Sequence, residues 1–356
     1  MSALFSLARP EILALSPYAH AAWRPGLTRL HANEAPWRPA GDTSAAGLNR
    51  YPEPQPAALI ERLAALYGVE PRNLLVGRGS DEAIDALSRI FLRAGQDAIL
   101  QCPPTFGMYS VAARIQGAAV IDCPLRRENG WRLDAEALLA AWRPEMKLVY
   151  LCSPNNPTGN RLAENEIAAV CDALDGRAVV VIDEAYVEWS GAASLAAWIE
   201  RYRTLAVLRT LSKAHALAGA RIGALIGPPE LIEIARRVVP PYALAQPAIE
   251  AALAALAPEA CARTDRRIAE LLRERERLHR ALEASPLVER VWPSAANFLL
   301  ADCTDAGEFL RRGLAGGLIV RDLRGQAALA GSLRVTVGER AQNDALIASL
   351  ANGAPA

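Results

Sequence analysis

Short, nearly unbroken apolar runs punctuate the chain, and between them apolar residues recur at helical spacing. Residues 74–77, 98–101, 148–152, 178–182 and 205–208 are too short for stable helices and read as strands. The run Ala178-Val179-Val180-Val181-Ile182 lacks alternation, which predicts a strand covered on both faces, as in a parallel sheet. Residues 57–67, closed by Gly68, and 83–92 read as helices. Strands alternating with helices predict an α/β fold with a mostly parallel, doubly wound sheet. Residues 228–260 are helical in pattern, interrupted at Pro240-Pro241 and Pro247. Residues 264–282 read as one long charged helix, with Thr264 as its N-cap. Beyond it, residues 288–292, 298–301 and 333–337 predict the strands of a smaller α+β unit. The expected organisation is an N-terminal arm over residues 1–35, joining the small domain, then a large domain over 36–263 and the small domain over 264–356.

Composition changes this picture only by exclusion. The chain has 356 residues, 52% of them hydrophobic, enough for a large core. Lys plus Arg and Asp plus Glu balance at 39 each, so no global field attracts nucleic acid or an anionic membrane. No apolar run reaches membrane-spanning length, and the first ten residues do not read as a secretory signal. The six cysteines are scattered without a C-x-x-C pair, as expected of thiols in a reducing cytoplasm. The four histidines (20, 31, 215 and 279) have no metal-ligand spacing, so no metal is expected.

Chemistry gathers at the ends of the predicted strands. After residues 205–208 come Thr210, Ser212 and Lys213, with Arg221 eight residues further on. An amine, two hydroxyls and a guanidinium near one strand end suit an anionic phosphate attached to an electrophilic carbonyl. Residues 74–77 run into Gly79-Ser80-Asp81 and then a helix. That arrangement is a phosphate cradle or a plain N-cap. The rigid turn Ser153-Pro154-Asn155-Asn156-Pro157-Thr158-Gly159 follows the strand at 148–152. Asp183 ends the strand at 178–182, where a buried carboxylate needs a cationic partner. Asn156, Asp183 and Lys213 are 27 and 30 residues apart, each gap about one strand–helix unit. In open α/β sheets ligands bind beside such strand ends.

These stretches, with Asn49-Arg50-Tyr51-Pro52 and Cys102-Pro103-Pro104-Thr105-Phe106-Gly107-Met108-Tyr109, resemble the class II aminotransferases of the fold-type I pyridoxal 5'-phosphate (PLP) enzymes. Within that group the chain is most similar to the histidinol-phosphate aminotransferase family. Three positions depart from its usual pattern: Phe106 replaces a tyrosine, His215 a phenylalanine and His31 an asparagine. The resemblance implies PLP held covalently, as an aldimine, on Lys213. It gives the pyridine nitrogen to Asp183, the ring oxygen to Asn156 and Tyr186, and the ring face to Tyr109. Gly79, Ser80, Asp81, Thr210, Ser212 and Arg221 are expected around the phosphate. Tyr51 is expected to reach a partner subunit's phosphate, which implies a homodimer with shared sites. Arg334, Arg321, Asn33 and Tyr18 are expected to bind substrate. The implied reaction passes an amine between L-histidinol phosphate and 2-oxoglutarate, within histidine biosynthesis. An aromatic amino-acid aminotransferase and an O-phosphothreonine decarboxylase of the same fold are the alternatives.

Overall fold

The structure is a computed structural model that describes residues 3–21 and 26–351. Seven strands form the larger sheet: β1 (Leu74–Gly77), β2 (Ala98–Gln101), β3 (Ala119–Asp122), β4 (Met146–Cys152), β5 (Val179–Asp183), β6 (Leu205–Thr210) and β7 (Gly223–Ile226). Their spatial order is β1-β7-β6-β5-β4-β2-β3. Strands β3, β2, β4, β5 and β6 pair in parallel, while β7 pairs antiparallel with both β6 and β1.

Helices cover both faces, which explains the unbroken apolar runs. Val180 and Ile182 of β5 enter a core shared with Leu59, Leu63, Ile167 and Val170. Val179 and Val181 enter the opposite core, with Ile84, Leu87, Ala112 and Leu231. Full burial of each such side chain contributes roughly 1.5–3 kcal/mol. Two strands escape the sequence pattern. β3 is an edge strand with exposed ends, and β7 is only four residues long, hidden between a polar loop and Pro228.

The second sheet comprises β8 (Val288–Val291), β9 (Phe298–Cys303), β10 (Arg321–Asp322) and β11 (Ser332–Thr336), ordered β10-β11-β9-β8 and antiparallel throughout. The long charged helix is Pro258–Glu283. It begins with proline at its first position, so Thr264 lies in its second turn and is not its N-cap.

From sequence the arm belongs with the small domain; its short helices instead pack on the large sheet. Leu4, Leu7 and Ile12 are buried in the core that holds Ile84 and Leu231. Arg9 N donates to Ile90 O, and Arg237 Nη1 donates to Leu13 O at 2.5 Å. Apolar side chains on those helices find their cover on the nearest apolar helix face, a match that proline spacing could not reveal.

Candidate active site

Three neighbouring interior strands deliver their functional residues to the same end of the sheet. β4 ends at Cys152, which lies opposite Asp183 on β5, which in turn lies opposite Leu208 on β6. The turn after β4 is held from within. Buried Asn155 donates from Nδ2 to Pro104 O at 2.8 Å and to Thr158 Oγ1 at 2.6 Å. With Asn155 turned inward, Asn156 faces the cavity that opens beside the strand ends.

That cavity has a volume of about 610 Å³. Its walls include Lys213, Asp183, Asn156 and Tyr186 on one side, and Ser80, Asp81, Thr210, Ser212 and Arg221 on another. Arg334 and Arg321 close it from the small sheet, where they sit directly opposite each other on β11 and β10. No sequence pattern shows that cross-strand pairing, because β10 is two residues long.

Hydrogen bonds and ring contacts link these groups. Asn156 Nδ2 donates to Tyr186 Oη at 3.4 Å, and Arg334 donates to Asn156 Oδ1. Lys213 Nζ lies 5.7 Å from the Tyr186 ring centroid, and that ring meets Phe298 edge-on. The Arg334 guanidinium lies over Phe298, 5.2 Å from its centroid.

Electrostatics divides the cavity. Burial disfavours the Lys213 ammonium, and the Arg334 and Arg221 cations add repulsion, so its pKa falls below the usual lysine range. Burial pushes the Asp183 carboxyl up; hydrogen bonds from Tyr109 and Ala185 oppose that, and Asp81 reinforces it. Asp183 is therefore a buried carboxylate facing a cavity, and no ion pair is formed by it among the described residues. A protonated pyridine nitrogen would suit such a group.

The other end of the cavity suits a phosphate. Gly79, at φ +81°, caps the helix Ser80–Phe91, whose first N–H groups point outward. A Cβ on Gly79 would stand 2.7 Å from Arg221 Nη2, and one on Gly223 would stand 2.4 Å from Ser80 N. Only glycines allow this cradle its close approach. Arg221 lies in the left-handed region at φ +56° and donates to Asp81 Oδ2 at 3.0 Å and to Ser212 Oγ at 3.4 Å. The residues present thus fit PLP at both its charged ends. Among the described residues no group of His, Cys, Asp and Glu could hold a metal ion.

Four expected site residues lie elsewhere. Tyr109 is a correction: its ring is fully buried beneath the cavity and does not lie along it. Phe106, three residues earlier, is in the wall instead. The helix Met108–Ile115 starts between the two, and its first turn carries Tyr109 inward. Tyr18 is exposed and lines a separate cavity of about 660 Å³, with His20 and Arg236. Asn33 is exposed in a left-handed conformation, at φ +57°. Tyr51 is also exposed; it stacks on Tyr242 with centroids 4.7 Å apart, and Glu34 accepts from its backbone N–H at 2.7 Å. Within this one chain, Tyr18, Asn33 and Tyr51 are not in the cavity wall. Sequence reading also missed Gly223, Cys152 and Gln326, whose places depend on neighbours distant in the chain.

The fold and this constellation define a transferase of the aminotransferase type. Residues 31–350 match the model of aminotransferase class I and II, and the chain belongs to that family. Its relatives are more particular. Histidinol-phosphate aminotransferase of Stenotrophomonas maltophilia (strain R551-3) is 48% identical over 351 residues, 98% of this chain and 96% of that protein. The solved histidinol-phosphate aminotransferase of Sinorhizobium meliloti, in complex with pyridoxal-5'-phosphate, is 28% identical with a TM-score of 0.76, covering 85% of this chain and 82% of that one. The enzyme of the same name from Clostridium acetobutylicum, at 22% identity, shares the fold, with a TM-score of 0.77 and coverage of 85% and 90%.

Proposed function

We propose that this chain exchanges an amine between L-histidinol phosphate and 2-oxoglutarate, using PLP, within histidine biosynthesis. One observation carries the reading beyond aminotransferase chemistry in general. Arg334 and Arg321 face each other across β11 and β10 in the cavity that holds Lys213. Two forked guanidiniums suit a phosphate dianion in one half of the reaction and a carboxylate in the other. The names of the relatives support the same substrate.

PLP, when bound, supplies an electron sink for the carbanion formed at the substrate's Cα. The chain's own residues do the rest. Lys213 would hold the cofactor covalently through Nζ. As a free amine, Nζ would be the base that takes the substrate's Cα proton and the acid that gives it up again. Its lowered pKa keeps a free amine available for that task. Asp183 would keep a proton on the pyridine nitrogen. Asn156 and Tyr186 would donate to the ring oxygen, and Phe106 would lie beside the ring. The helix N-terminus at Ser80, with Ser212 and Arg221, would hold the phosphate.

The reading includes a cytoplasmic homodimer in which Tyr51 serves the partner subunit's site. Leu15, Leu30, Trp37 and Tyr51 are large apolar side chains exposed along one stretch. A second copy of the chain would cover them. All six cysteines are free thiols, in keeping with a reducing compartment.

The test is a pair of half-reactions on PLP-loaded protein, one with histidinol phosphate and one with phenylalanine, followed by cofactor absorbance. Rapid conversion by histidinol phosphate alone is expected. Faster conversion by phenylalanine would move the function to aromatic amino acids, and carbon dioxide release from O-phosphothreonine would move it to decarboxylation. Lys213→Ala is expected to abolish both the lysine-bound cofactor absorbance and all transamination.

A further inference from the structure

Beneath the cavity floor, Tyr109 occupies a position that packing alone does not explain. Its side chain is wholly buried in the first turn of the helix Met108–Ile115. Its ring stacks on that of Tyr150 from β4, with centroids 4.4 Å apart and planes 8° from parallel. Phe106 meets it edge-on at 5.6 Å. These two contacts set the plane of the ring, and a phenylalanine would fill the same space. The hydroxyl is the part that packing does not need. It donates to Asp183 Oδ2 at 2.7 Å, while Asp183 Oδ1 accepts from Ala185 N at 3.0 Å.

We propose that Tyr109 is the positioning residue for Asp183: its phenol grips one carboxylate oxygen, so that Asp183 stays charged and aimed into the cavity. Asp183 forms no ion pair among the described residues, so its charge depends chiefly on hydrogen bonds, and two donors reach it. One is a backbone N–H that no side-chain substitution removes. The other is Tyr109, so the state of Asp183 depends on a residue that lies outside the cavity wall. Burial also holds the Tyr109 phenol far above its ordinary pKa, so it remains a donor across the working range. Tyr109 would thus act on the cofactor through Asp183, while Phe106, in the cavity wall, would lie beside it.

This inference rests on the reading of the cavity as a PLP site, and the experiment separates the two. The holoenzyme is compared with Tyr109→Phe and Tyr109→Leu. The readouts are the rate of PLP loss on dilution, followed by absorbance, and kcat and KM in the half-reaction. Loss of one charge-assisted hydrogen bond should speed PLP loss in Tyr109→Phe by about tenfold and lower kcat by about tenfold, with KM nearly unchanged. If Tyr109→Phe matches the wild type in both readouts while Tyr109→Leu fails, Tyr109 is a packing residue and the proposal is overturned. A rise in KM with unchanged kcat overturns it too. If the wild type takes up no PLP, the cofactor reading falls together with this one.

Discussion

At the scale of single residues, the cavity works by setting charges against one another. Lys213 is held below its usual pKa first by burial and then by the Arg334 and Arg221 cations. Arg334→Gln removes one of those cations, so the ammonium becomes easier to keep and the Lys213 pKa rises. The rate at which apoprotein captures PLP depends on the free amine. Its pH midpoint is therefore expected to move upward in Arg334→Gln, and an unchanged or lower midpoint would contradict the coupling. The same variant should raise KM for histidinol phosphate about tenfold or more, because the forked contact proposed for the phosphate would be gone. Most of these residues are legible from sequence, since Asp183 ends an apolar strand and Asn156 and Lys213 follow apolar strands within four residues. Tyr109 and Phe106 are not. Both are aromatic and three residues apart, and only the phase of the helix start decides which one faces the cavity.

At the scale of elements, the phosphate cradle depends on two chain segments that nearly touch. β7 passes so close to the start of the helix Ser80–Phe91 that a Cβ on Gly223 would meet Gly79 C and Ser80 N at 2.4 Å. Gly223→Ala must push that helix start away from the sheet. It is expected to cost about 1–3 kcal/mol of stability, read as a lower Tm, and to weaken PLP binding in parallel. An alanine variant with unaltered Tm and PLP affinity would show that the approach is not needed. A second device ties the neighbouring strands together. Buried Arg209 on β6 donates to Glu188 Oε1 at 2.8 Å and lies 3.6 Å from Glu184 Oε2. It therefore joins the segment before Lys213 to the segment after Asp183. Strand positions for β1, β2, β4, β5 and β6 follow from apolar runs alone. β7 does not, since four residues that begin with Gly223 and stop before Gly227 have too little pattern to stand out.

At the scale of the whole molecule, Tyr51 is the decisive residue. Its loop is pinned by Glu34, which also pairs with Arg50 at 3.0 Å and Arg29 at 2.6 Å. The ring is left exposed and outside the cavity of its own chain. If it serves a partner, coexpressed Lys213→Ala and Tyr51→Ala chains should form mixed dimers with one complete site, each variant alone being impaired. Activity should return toward half the wild-type value per dimer. No recovery in mixed dimers, with both chains folded, would place Tyr51 in service of its own chain.

The sequence alone determined the strand–helix alternation, the residues at the strand ends and hence the chemistry, because burial on both faces and charge at a sheet edge are local demands written in residue type. Tertiary structure decided the rest. It seated the arm on the large sheet, set Arg321 opposite Arg334, brought Gly223 against Gly79 and turned Tyr109 under Asp183. Each of these joins segments whose meeting depends on how whole elements pack, and packing geometry is set by the sum of many weak contacts that no single stretch of sequence contains.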